Sequence, residues 1–145
     1  MKFGIILLFS DNENEIKNNQ FINLFNKTKH TIFCFVNNAS KDDTLKLLKV
    51  ISRNSECNIS ILDIKKEKKE VIAIKAGARY LYSAVEDLKF IVYANMGDLT
   101  DLGILKDLFA TIQNTTDFKE VFQINTKRGT LKNVFPIHKI INNAI

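Results

Sequence analysis

The chain has no tryptophan, a single proline, two histidines, two cysteines and only five glycines in 145 residues. Each shortage excludes something. Two cysteines make no disulfide scaffold, and nothing in the chain resembles a metal-ligand motif. His30 and His138 lie far apart, with no Ser or Cys in an elbow motif beside either, so nothing points to a hydrolytic triad. There is no G-x-x-x-x-G-K and no G-x-G-x-x-G, which removes the P-loop and the dinucleotide fingerprint. One proline and few glycines argue against a linker-rich or disordered chain. Long apolar runs are missing as well. The run Phe3 to Phe9 ends at Ser10, Asp11 and Asn12, too short to span a bilayer and without a small-residue cleavage site. The expectation is a cytoplasmic protein that is not integral to a membrane.

What is present is ordinary for a folded domain. Hydrophobic residues make up 46% and charged residues 26%, and the length suits one domain over residues 1–145. The net charge is +5, but the lysines are scattered except at Lys65, Lys66, Lys68 and Lys69. Glu67 and Glu70 interrupt that cluster, which reads as a solvated turn. The aromatics Phe33, Phe35, Phe90 and Tyr93 fall in strand cores, not on a basic face, so no nucleic-acid partner is expected. Cys34 reads as a small buried hydrophobe.

Strand and helix patterns alternate along the chain. Phe3–Phe9, Thr31–Val36, Asn58–Ile64 and Phe90–Ala94 read as strands, with Val121–Ile124 a candidate fifth. Between them, Glu13–Phe25 is expected to be a helix burying Ile16, Phe21, Leu24 and Phe25. Ser40, three residues before Asp43, has the spacing of a helix cap ahead of Thr44, Leu47, Leu48 and Ile51. Glu70–Tyr82 is expected to bury Val71, Ile74, Ala78, Leu81 and Tyr82, and Thr100–Ile112 to bury Leu105, Leu108, Phe109 and Ile112. A turn at Lys127–Gly129 and a terminal helix at His138–Ile145 complete the pattern, the apolar end piece packing on the sheet or forming a dimer contact. Alternation of this kind implies right-handed βαβ units, a mostly parallel sheet and helices on both faces. In such sheets ligands bind at the carboxyl ends of the strands. Three of those ends carry short polar residues: Ser10 to Glu13, Asn37 to Ser40, and Asn95 to Asp98 with Asp101 behind. Read as turns, these residues are caps and loop formers; read together, they line one polar cleft.

The order of these motifs resembles that of family-2 glycosyltransferases. VNNASKDDTLKLL is similar to that family's V-D-N-A-S-x-D-x-T motif, and Ser10-Asp11-Asn12-Glu13 to its first-strand Y-N-E segment. Lys75-Ala76-Gly77-Ala78-Arg79 resembles its helical N-A-G-x-R stretch, and Asn95-Met96-Gly97-Asp98 lies where the family has its D-x-D metal motif. The resemblance covers residues 3 to about 112. It implies an α/β, Rossmann-like GT-A fold of three α/β/α layers with a mostly parallel sheet, truncated before the family's acceptor-binding half and its catalytic base. It implies a nucleotide-sugar site built from Ser10, Asn12, Glu13, Asn37, Ser40, Lys75 and Asn95, with Asp98 and Asp101 as candidate ligands for Mg²⁺ or Mn²⁺. The chain departs from the family where the charge sits. Asn37 replaces the base-contacting Asp, Asn95 and Gly97 replace the two D-x-D carboxylates, and Lys75 and Lys69 stand where Asn and Gly are usual. Loss of one electrostatic group at a transition state costs about 3 kcal/mol. The expectation is therefore weak or absent hexosyl transfer. The alternative is a non-catalytic GT-A-like module acting with a partner, either a second copy or a partner glycosyltransferase chain. A third, weaker reading is a receiver domain with Asp11, Asp63 and Lys127 as its acids and lysine.

Overall fold

In the computed structural model, which describes residues 2–27, 31–98, 102–114 and 134–136, the alternating pattern folds into one five-stranded sheet. The elements in chain order are β1 (Lys2–Phe9), α1 (Glu13–Ile16), α2 (Asn19–Lys27), β2 (Ile32–Asn38), α3 (Thr44–Asn54), β3 (Asn58–Ile64), α4 (Glu70–Ala84), β4 (Leu88–Asn95), a 3-10 turn (Met96–Asp98), α5 (Leu102–Asn114) and β5 (Val134–Pro136). The sheet order is β3-β2-β1-β4-β5. The first four strands run parallel, and β5 joins β4 antiparallel. This order excludes the receiver reading, because that fold is wound 2-1-3-4-5.

Two apolar layers follow from strand alternation. Phe3, Ile5, Leu7 and Phe9 of β1 share one face with Phe33 and Phe35 of β2, under α1, α2, α3 and α5. Ile6, Leu8, Cys34 and Val36 point the other way, onto Ala73, Ile74, Ala78 and Leu81 of α4. The first layer is aromatic. Phe25 meets Phe21, Phe33 and Phe35 edge-on at 5.0–5.2 Å between centroids, and Phe33 meets Phe109 at 5.2 Å. Such pairs add about 0.5–1.5 kcal/mol each beyond burial. The second layer is thin because Gly77 lets α4 lie close on the sheet: a Cβ there would stand 3.0 Å from Val36 Cγ2 and 3.3 Å from Ile6 Cγ2.

Several expected boundaries move. The helix over Glu13–Phe25 breaks into α1 and α2, because the Asn18 side chain turns back to accept the Gln20 N–H at 2.8 Å and starts a new helix. Asn37 and Asn38 do not end β2; both pair within it, opposite Asp63 and Ile64. Val71 and Tyr82 are exposed, not buried, since Gly77 and Ala73 take the sheet-facing positions of α4. β5 was not expected. The candidate strand Val121–Ile124, the turn 127–129, the helix 138–145 and the packing of the end piece lie outside the described residues. No helix among the described residues is long and apolar enough to cross a membrane.

Candidate functional site

The parallel strands bring their carboxyl ends to one edge of the sheet. Across it, Asp63 on β3 pairs with Asn37 on β2, Asn37 with Phe9 on β1, and Leu8 with Asn95 on β4. The winding of successive strands reverses beside β1: β2 and β3 lie on one side of it and β4 on the other. Open α/β sheets bind ligands at such a switch point.

The loops after β1 and β2 are knitted together. Asp11 and Ala39 both adopt left-handed backbone, with φ of 52° and 53°. The Asp11 N–H donates to Ser40 Oγ at 3.1 Å, and Asp11 Oδ1 accepts the Lys41 N–H at 2.6 Å. Ser40 Oγ in turn donates to Asn37 Oδ1 at 2.5 Å. Beside them, Asn12 Oδ1 accepts the Ser10 N–H at 2.7 Å, and the Asn12 N–H donates to Thr44 Oγ1 at 2.9 Å. Thr44 is fully buried, and its hydroxyl donates to Asp42 Oδ1 at 2.5 Å. Asp42 also accepts the N–H groups of Thr44 and Glu13 at 3.0 and 3.2 Å. Burial would raise the Asp42 carboxyl, but these donors outweigh it and hold the pKa below the ordinary value. Asp42 thus does the capping that spacing assigned to Ser40, and Asp43 stands at the cap position without a side-chain bond.

The structure groups five expected residues, Ser10, Asn12, Glu13, Asn37 and Ser40, around these two loops. Their polar atoms are largely committed to one another. Asn37 is 2% exposed; it accepts from Ser40 and donates through Nδ2 to Asp63 Oδ1 at 3.0 Å. Asp63 therefore sets a carboxylate beside the buried Asn37 amide. Its side chain is 23% exposed and forms an ion pair with Lys65. The Lys65 ammonium and then the Asn37 amide hold its pKa below the usual carboxylate value. Asp63 is the residue that sequence reasoning undervalued. A signal existed: Asn58–Ile64 alternates, and Asp63 shares its parity with Ile59 and Ile61, whose side chains pack on the aromatic layer.

The other expected residues lie apart. By alternation Asn95 follows Tyr93 onto the α4 face, opposite to Asn37. Its Oδ1 accepts the Gly97 N–H at 2.9 Å. Lys75 is half-buried in the second turn of α4. Asn38 also faces that layer, and its amide clamps the lysine-rich loop, donating to the Lys68 carbonyl at 2.8 Å and accepting the Lys68 N–H at 3.0 Å. Asp98 is exposed on the 3-10 turn, and Asp101 lies outside the described residues. The described residues do not fit a Mg²⁺ or Mn²⁺ site of the D-x-D kind: Asn95 spends its oxygen on the backbone, Gly97 has no ligand, and one exposed carboxylate remains.

No family model matches the sequence, and no curated protein matches it. In structure the chain is similar to S. aureus TarS, a family-2 glycosyltransferase. It superposes on residues 1–349 of TarS with a TM-score of 0.55 at 19% identity, covering 78% of this chain and 32% of the other. The fold is of the GT-A kind. The same TarS piece determined with UDP-GlcNAc gives a TM-score of 0.53 at 18% identity, over 78% of this chain and 31% of that one. The piece determined with UDP gives the same score and identity, covering 78% and 32%. The chain thus spans about a third of the TarS pieces it resembles.

Proposed function

We propose that this is a glycosyltransferase-like protein that takes a nucleotide sugar at the carboxyl edge of β1, β2 and β4, with little or no transferase activity. The observation that carries the reading is the interlocking of the polar ends of β1 and β2 at the switch point of a GT-A-like sheet, the fold in which TarS is seen with UDP and UDP-GlcNAc. Weak activity follows from charge. With Asn95 and Gly97 in place of acids, no pair of described carboxylates stands ready to neutralise a departing diphosphate. Ser10, Asn12, Glu13, Asn37 and Ser40 then form a rigid wall against which the nucleoside rests.

A thermal melt with UDP, UDP-GlcNAc and a GDP-sugar, each in EDTA and in Mn²⁺, tests this. A bound nucleotide at 100 times its Kd stabilises by about 2.7 kcal/mol, a rise of several degrees. The expected rise is the same in EDTA and Mn²⁺, with donor hydrolysis slow or absent. A curve that no nucleotide moves would end the proposal.

A second reading is a non-catalytic module acting with a partner chain or a second copy. It draws on the exposed apolar residues Val71, Ile72, Tyr80 and Tyr82 of α4. Light scattering on the purified chain decides it: a strict monomer that captures no partner counts against it.

A further inference from the structure

Among the described residues no strand lies beyond β3, so β3 forms one edge of the sheet. The Asn58 N–H donates to the Thr31 carbonyl at 3.3 Å, and the Ile64 carbonyl accepts the Ala39 N–H at 2.9 Å. Backbone groups of successive strand residues turn to opposite sides. Asn58, Ser60, Leu62 and Ile64 therefore face β2, while Ile59, Ile61 and Asp63 turn their N–H and C=O groups outward. Ser52 Oγ of α3 donates to the Ile59 carbonyl at 3.1 Å, which leaves that oxygen a second lone pair. No described group pairs with the outward N–H and C=O of Ile61 and Asp63. Exposed edges are usually blunted by proline, lysine or a bulge, because an open ladder invites another strand. Asn58–Ile64 has none of these. It runs in unbroken register with β2 and holds Ile59, Ile61, Leu62 and Ile64.

We propose that a second copy of this chain adds its own β3 antiparallel to this one, about a two-fold axis through Ile61, so that two sheets become one. Such an axis, normal to the sheet, keeps each face on its own side. Centred on Ile61, it pairs the outward set with itself: Ile61 meets the second copy's Ile61, and Ile59 meets the second copy's Asp63. Each such pair exchanges two N–H···O bonds. Charge favours the same register. It sets exposed Glu56 opposite the exposed Lys66 of the second copy, once on either side of the axis. A parallel second copy would instead bring Lys65 and Lys66 beside their own counterparts. The two-fold contact uses the same patch on both chains and closes at two copies. It is a strip one strand wide, so the dimer is weak and reversible.

Sedimentation equilibrium of the full chain over a concentration series, with amide hydrogen exchange read by NMR at the same concentrations, tests this. A monomer–dimer equilibrium is expected. Exchange at the Ile61 and Asp63 amides should slow as concentration rises, while Ser60 and Leu62, already bonded to β2, should not change. Ile61→Pro removes a donor that β2 does not use, so the fold should survive and the dimer should be lost. Lys66→Glu sets like charges opposite each other and should weaken the dimer about tenfold. Glu56→Lys combined with Lys66→Glu should restore it. A chain that stays monomeric at every concentration overturns the proposal. A dimer that persists in a folded Ile61→Pro chain also overturns it, since α4 or another face must then form the contact. Slow exchange at Ile61 and Asp63 that dilution leaves unchanged overturns it too, because the chain's own residues then cover the edge. Lys66 is an exposed side chain, so the charge variants decide the matter even if Ile61→Pro fails to fold.

Discussion

Thr44 shows at the scale of one residue how a loop can be polar without being free. Its hydroxyl accepts from the Asn12 backbone and donates to Asp42 in a fully buried position. Thr44→Val keeps the shape but leaves the Asn12 N–H without its acceptor, so stability in urea should drop by about 1–3 kcal/mol, while Thr44→Ser should lose less than half as much. Asp63 makes a different prediction. Its pKa is depressed in the folded state by Lys65 and Asn37. A depressed acid contributes stability above its unfolded value, about 3.9 for Asp, and loses it as pH falls through the lower folded value. The natural chain should therefore lose stability below about pH 4 more steeply than Asp63→Asn, as urea midpoints against pH would report. If the two curves run parallel, the Asp63 contacts do not carry that stability. At this scale Cys34 in the core and the exposed lysine loop were legible from sequence. The pairing of Asn37 with Asp63 was not, because 26 residues separate them.

Elements were legible where period and composition agreed. β3 runs over Asn58–Ile64, the span expected from its alternation, and β1 follows its apolar run. α4 was legible as a helix but not in its orientation. Val71 and Tyr82 look like buried positions on a helical wheel, yet the sheet selects the stripe of Ala73, Ile74, Gly77, Ala78 and Leu81. Small residues win there because they let the helix approach closely. Gly77→Val should then cost about 1–3 kcal/mol by overpacking against Val36 and Ile6. Gly77→Ala should stay within about 1 kcal/mol of the natural chain, since improved helix propensity offsets a tight Cβ contact. Equal losses from both, read by urea denaturation, would show that backbone conformation and not space governs the position.

For the molecule as a whole, two apolar layers enclose both thiols. Burial pushes Cys34 up to about 12 and raises Cys57 as well. Neither should react with a thiol reagent at about pH 8 in the native state, and both should react in guanidinium, since the thiolate is the reactive form. Rapid native labelling of one thiol would mean that its layer opens. The sequence by itself determined the α/β class, four of the strands and which ends would be polar, because alternation, apolar runs and short polar breaks are local properties of the chain. Only the tertiary structure decided the order β3-β2-β1-β4, the side of the sheet to which each polar residue points, and the pairing of Asn37 with Asp63. Those depend on which strands become neighbours, and neighbours are chosen by packing between segments far apart along the backbone.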